Sequence, residues 1–255
     1  MATALLRLGF RLIAVTGFGL LALPVATAFA AGCVVPSDAF VFEPKLPRTV
    51  AALSAGGTVT IVAIGSASTV GRAAGGPDYA WPKQLGVSLA KEFPKAKISV
   101  VNLGKARQTA ANMAARFAKE ILPLAPALVI WETGTVDAVR GVELSAFRET
   151  LQSGLAQLRA ASEVMMMDIQ FSRRTHIMTD FEPYESAIRE VADVNDVPMF
   201  PRNELMRYWS ESGAFDYTVE KKDEQQAMAR RLYACIGRAL AEFIARRPHA
   251  EGSNP

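Results

Sequence analysis

With 255 residues, half of them hydrophobic, the chain can bury one sizeable core, and a single main domain is the expectation. Its net charge of +3 includes Arg7 and Arg11 near the start, and without the first thirty residues it is +1. A nearly neutral body excludes nucleic acid as the main partner.

Arg7 and Arg11 flank the head of an apolar run over residues 12–30, which ends in the small-residue site Ala28-Phe29-Ala30. This pattern predicts a secretory signal peptide over residues 1–30, cleaved near Ala30. It implies a periplasmic or secreted protein with no stable membrane insertion after cleavage. The run is long enough that an uncleaved anchor stands as the alternative. Two cysteines remain, Cys33 and Cys235, and an even count in an exported chain predicts one disulfide from the N-terminal arm to the last helix. The competing reading takes Ala30-Ala31-Gly32 before Cys33 as a degenerate lipobox with Cys33 acylated. Ala30 in place of the usual leucine weighs against it. Residues 31–57 hold Pro36, Pro44 and Pro47 and read as an arm that wraps the domain. The main domain is expected over 58–247, with a disordered tail over 248–255.

Residues 59–64 form a β-branched apolar run with little alternation, the mark of a strand buried on both faces of a parallel sheet. The run breaks at Gly65 into Ser66-Ala67-Ser68-Thr69 and closes at Gly71. Such a turn delivers its side chains to the carboxyl edge of the sheet, where α/β proteins place ligands. Further strands are predicted at 98–101, 127–131, 164–167 and 197–200. Helices are predicted at 81–93, 110–122, 143–161, 184–194 and 223–246. In the helix at 143–161, Leu144, Phe147, Leu151, Leu155 and Leu158 share one face. Regular alternation of strand and helix implies a three-layer α/β/α architecture around a central parallel sheet of about five strands. Met165-Met166-Met167 reads as core strand rather than as a metal or haem feature. No phosphate loop, dinucleotide fingerprint or His/Cys ligand spacing is present, so no cofactor and no metal are expected.

From residue 58 to 245 the order of features resembles the SGNH/GDSL hydrolase family. Gly65 with Thr69-Val70-Gly71 is similar to the family's first block, which carries Gly-Asp-Ser with the serine as nucleophile. Asn102-Leu103-Gly104 and Thr109-Ala110-Ala111 are similar to the second, whose glycine helps form the oxyanion hole. Trp131-Glu132-Thr133-Gly134-Thr135 with Asp137 is similar to the third, which supplies an asparagine to the same hole. Tyr233-Ala234-Cys235 resembles the helix behind the final Asp-x-x-His pair. The resemblance implies a flavodoxin-like SGNH fold and carboxylic ester hydrolysis at the carboxyl edge.

The chemical residues depart from that pattern. The nucleophile position is Ala67, with Ser66 in place of the family's aspartate. The oxyanion glycine falls on Arg107 and the asparagine on Val136. Counting back from Tyr233 puts the Asp-x-x-His pair on Glu224 and Ala227. Histidine occurs twice in the chain, as His176 and His249, and serine hydrolysis needs a base to take the hydroxyl proton and return it to the leaving group. The expectation is therefore a catalytically inactive, SGNH-hydrolase-like protein that binds an envelope ligand, an anionic glycan or other small molecule, through Arg107, Arg72 and Asp137, with Lys105 adding charge nearby. In the competing arrangement Arg107 pairs internally with Asp137 or Glu132 and leaves no pocket. The alternative function is an active esterase or acetyl-hydrolase with a relocated nucleophile, Ser66 or Ser68. His176 would then be its base, oriented by Asp168 or Asp180.

Overall fold

The computed structural model describes residues 33–36, 46–172 and 178–246. Five parallel strands form its centre: β1 (Thr58–Ile64), β2 (Lys97–Asn102), β3 (Leu128–Glu132), β4 (Glu163–Met167) and β5 (Met199–Phe200), in the order β2-β1-β3-β4-β5. All four pairings are parallel, with Ile64 beside Trp131 and Glu132 beside Met167. Chain order reverses between β1 and β3. The crevice at the carboxyl ends of those two strands is the topological switch point, where sheets of this order bind ligands.

Because successive strand residues face opposite sides, each strand supplies two cores. Ile61, Ala63, Leu128, Ile130, Met165 and Met167 pack in one layer. Helices α1 (Pro47–Ser54), α3 (Trp81–Glu92), α8 (Arg202–Glu211) and α9 (Lys222–Ala245) cover it. Val62, Ile64, Val129, Trp131, Val164 and Met166 pack in the other. That layer lies under α4 (Ala110–Ala114), α5 (Thr135–Arg140), α6 (Leu144–Arg159) and α7 (Glu182–Val194). The three consecutive methionines are thus core strand, alternating between the layers. The first layer is held by α3 against α9. On α3, Trp81, Leu85 and Leu89 recur every fourth residue and are all fully buried. Gly237 of α9 is what lets the two backbones approach, since a Cβ there would stand 2.5 Å from the Gln84 Cβ.

The three-layer α/β/α expectation holds, and the longer helices end within two residues of their predicted bounds. The region 110–122 differs. It splits into α4, started by a reciprocal capping box between Thr109 and Asn112, and a wider turn over Phe117–Ile121. The Arg116 guanidinium is drawn inward there, donating to the Leu103 carbonyl and to Gln108 and Glu120. The N-terminal arm contributes more than a wrap, because α1 inserts Leu53 into the first core. Cys33 and Cys235 are joined in a disulfide, with Cα atoms 5.3 Å apart, as expected. It closes a loop of 202 residues, for which chain entropy alone allows about 5 kcal/mol. No helix among the described residues is long and apolar enough to cross a membrane. The predicted signal peptide, the predicted C-terminal tail, His176 and His249 lie outside the described residues.

Candidate functional site

The switch point is built from the turns after β1, β2 and β3. The turn after β1 starts at Gly65, where a side chain is impossible. A Cβ would lie 2.2 Å from Thr69 Oγ1 and 2.4 Å from the Glu132 carboxylate reaching over from β3. Glu132 Oε2 accepts from the Ser66 amide at 3.1 Å and from Thr69 Oγ1 at 2.5 Å. Its other oxygen accepts from Arg202 Nη2 at 3.3 Å. Asn102 fastens the same turn from the β2 side, donating to the Thr69 carbonyl while accepting from the Gly104 amide.

Arg202, at the start of α8, is fully buried. Its Nη1 donates to Ser68 Oγ at 3.1 Å and its Nη2 to the Asp168 carbonyl at 2.6 Å. The Asp168 carboxylate accepts from the Asn203 amide, and Asn203 Nδ2 donates to Glu185. Burial pushes the Asp168 carboxyl up to about 7, against the pull of Arg202. The carboxyl edge between β1, β3 and β4 is therefore filled by a charged, hydrogen-bonded core. Sequence reasoning placed no partner on Arg202. The one available signal was that Arg202 directly follows a strand and Pro201, at the edge where an arginine is easily buried.

Each expected site residue can now be placed. On the short helix α2 (Ala67–Val70), Ala67 is exposed at the edge, so the nucleophile position presents a methyl group. Ser66 and Ser68 are buried, and both hydroxyl oxygens accept hydrogen bonds, Ser68 from Arg202 and Ser66 from the Arg107 amide at 3.1 Å. That amide is the one the resemblance assigns to the oxyanion hole. The backbone of Arg107 keeps a left-handed conformation, φ 66°, which favours the glycine that the family has there. Its carbonyl accepts from Arg140 Nη2 at 3.0 Å. Its guanidinium is exposed and makes no ion pair among the described residues, so the competing arrangement, a pairing with Asp137 or Glu132, is not formed. Glu132 is taken by Arg202 instead.

Asp137 requires a correction. It is 1% exposed, and both carboxylate oxygens accept from the Ala110 amide, locking α5 to α4. Burial raises its pKa and the Ala110 hydrogen bond opposes the shift. Lys105 is likewise engaged: with Arg116 it clamps Glu120, whose carboxyl is held at about 2, first by Arg116. Arg72 is exposed just past α2. Val136 lies in the first turn of α5 and offers no donor from its side chain. Glu224 and Ala227 are both exposed on the first turns of α9, within the helix predicted there. The same three-residue spacing moved into the loop before it falls on Asp216 and Val219.

A family model described as the non-GDSL lipase-like family matches residues 32–250. No functionally curated protein matches the sequence. Among solved structures, a lipase/acylhydrolase from Enterococcus faecalis superposes with a TM-score of 0.58 at 18% identity, covering 72% of this chain and 96% of that one. A two-domain esterase active on acetylated mannans gives 0.65 at 18% identity and covers 82% of this chain, which spans 55% of that protein. TesA gives 0.52 at 21% identity, covering 69% and 97%. At these identities the likeness establishes a shared SGNH/GDSL-type fold.

Proposed function

The chain belongs to the non-GDSL lipase-like family, and from that premise we propose that it is an exported protein that no longer hydrolyses esters and binds an anionic envelope ligand at the former active-site edge. One observation carries the loss of catalysis: the Arg107 amide, the donor an oxyanion would need, is already occupied by Ser66 Oγ. Preorganised donors aimed at the developing oxyanion are commonly the largest catalytic contribution. Here that donor is spent inside the fold, beside a nucleophile position that holds Ala67. The alternative of a relocated serine meets the same obstacle. Ser66 and Ser68 are buried acceptors of a backbone amide and a guanidinium, and neither hydroxyl is paired with a base among the described residues, outside which His176 lies.

Ligand binding is supported by Arg107 itself. A left-handed arginine costs the fold roughly 1 kcal/mol or more. Its side chain makes no ion pair among the described residues, so its use lies outside the fold. Arg140 holds the loop from behind, and the pair offers planar donors suited to a carboxylate. Export is supported by the leader-like sequence and by the Cys33–Cys235 disulfide, which persists in oxidising compartments.

The test is turnover of short acyl esters by the mature protein, with Ser66→Ala/Ser68→Ala as control, alongside binding of an oligogalacturonate and of a neutral xylo-oligosaccharide. The expected result is no turnover, none gained in Ala67→Ser, and binding of the acidic sugar that Arg107→Gly weakens without loss of stability. Turnover abolished by the double serine change would establish an active esterase.

A further inference from the structure

At the amino end of the sheet, opposite the switch point, lies a groove of about 350 Å³. It is bounded by the start of α1, the end of α6 and the turn from α7 into β5. Ser162, between α6 and β4, lines it and is 2% exposed. The Ser162 amide donates to the Leu158 carbonyl, but its hydroxyl has no hydrogen-bond partner among the described residues. A buried hydroxyl left unpaired is a cost to the fold. Rotation about its one side-chain bond offers that hydroxyl to an occupant of the groove, as donor or acceptor.

The charges around the groove are of both signs. Glu163 is already used: it accepts from the Arg48 and Thr49 amides and from the Thr49 hydroxyl, and it lies 3.7 Å from Arg48 Nε. The Arg48 side chain is nonetheless 67% exposed, so its outer nitrogens stay open to solvent. Arg159 is exposed and makes no ion pair among the described residues. Asp196 is exposed on the same groove and engaged in a polar interaction of its own, and Asp193, three residues earlier, is exposed as well. Both α6 and α7 end here, and the carbonyl ends of helices favour cations. A simple anion would therefore meet carboxylates and two helix ends, and a simple cation would meet two guanidinium groups. A molecule carrying both charges meets neither conflict.

We propose that this groove binds a short zwitterionic peptide. Its carboxylate lies on Arg159 and Arg48, its ammonium on Asp196, and Ser162 Oγ bonds its backbone. Val164, Val197 and Pro198 give small apolar side chains a surface to pack on. The volume is at the lower end of the range for small-ligand pockets, roughly 300–1,000 Å³, which suits a dipeptide. The site stands apart from the former active-site edge, and binding here does not depend on a ligand at Arg107.

The test is isothermal titration calorimetry of the protein with four probes: alanyl-alanine, its N-acetyl form, its C-terminal amide and the neutral disaccharide cellobiose. Alanyl-alanine should bind, each blocked form should bind about tenfold more weakly for the loss of one charge-assisted contact, and cellobiose should not bind. Arg159→Gln should weaken alanyl-alanine by about tenfold as well. Asp196→Asn, which tolerates the left-handed backbone at that position, should weaken alanyl-alanine and leave the N-acetyl form unchanged. Ser162→Ala should weaken binding about fivefold without lowering the urea midpoint. Arg107→Gly should leave every titration as it is. The proposal is overturned by no binding of alanyl-alanine, by a blocked form that binds as tightly, or by cellobiose bound in its place. It is equally overturned if Arg159→Gln leaves binding intact, if Arg107→Gly abolishes it, or if Ser162→Ala lowers the urea midpoint while binding is kept.

Discussion

Glu163 and Glu132 stand at opposite ends of the same strand pair, and each fastens the start of a helix to the sheet. At the amino end, Glu163 accepts from the Arg48 and Thr49 amides at 3.0 and 2.7 Å and from Thr49 Oγ1 at 2.6 Å. A carboxylate at the first turn of α1 is favoured by the helix dipole and stays in reach of water. At the carboxyl end, Glu132 likewise takes an amide and a threonine hydroxyl, yet its third donor is the buried guanidinium of Arg202. The first carboxylate decorates an edge. The second, with Asp168 and Glu185 close behind, belongs to a buried polar cluster at the carboxyl edge.

If that comparison is right, the two glutamates differ sharply on removal. Glu132→Ala leaves Arg202 buried without its ion partner and should cost about 3–5 kcal/mol in urea unfolding. Replacing the pair together, as Glu132→Leu/Arg202→Met, should recover most of that loss, because an apolar pair of similar volume strands no charge. Glu163→Ala removes hydrogen bonds at a wetter site and should cost about 1–2 kcal/mol. Equal costs for the two single changes would break the comparison.

The pH dependence sharpens it further. The Asp168 carboxyl sits at about 7 in the folded protein because it is buried, well above the ordinary value of about 3.9. Between those values the native state holds a proton that the unfolded chain has released, so stability falls as pH rises. The contribution is full below the ordinary value and is lost by the time pH passes the folded value. The thermal midpoint should fall across that window, by roughly 2–4 °C for each kcal/mol lost. Asp168→Asn can still accept from the Asn203 amide and should flatten the decline. An unchanged slope in that variant would place the titration on another group.

The smallest expected effect is at Arg107. Arg107→Gly relieves a left-handed arginine and should stabilise the fold by about 1 kcal/mol, read from the same urea curves. Destabilisation instead would mean that the guanidinium is anchored within the protein, contrary to its exposed position.

Much of this was legible along the chain. Runs such as 59–64, broken only by Thr60, and 164–167 are apolar, so the burial of most of their residues on both faces follows from composition. That Ala67 and Arg107 stand where the resemblance expects a nucleophile and a glycine was visible by counting from Gly65 and Asn102. The disulfide followed from two cysteines in a chain that opens on a leader-like sequence. The helix α8 was missed because RNELMRYWSE is mostly polar, and its buried Leu205, Met206 and Trp209 declare a face only once the sheet is there to receive them.

The partners of buried charge were beyond the sequence. Arg107, Glu132 and Asp137 lie close together along the chain and invited pairing, yet Glu132 meets Arg202, seventy residues away, and Asp137 meets the Ala110 amide. Hydrophobic periodicity is a property of neighbouring residues, so it reads directly from local sequence. The pairing of a buried carboxylate depends on which strand ends lie side by side, and the crossover from β1 to β3 brings the loops after β1, β3 and β4 to one edge. Only there does burial raise the cost of an unpaired charge enough to select Arg202 over the exposed Arg107.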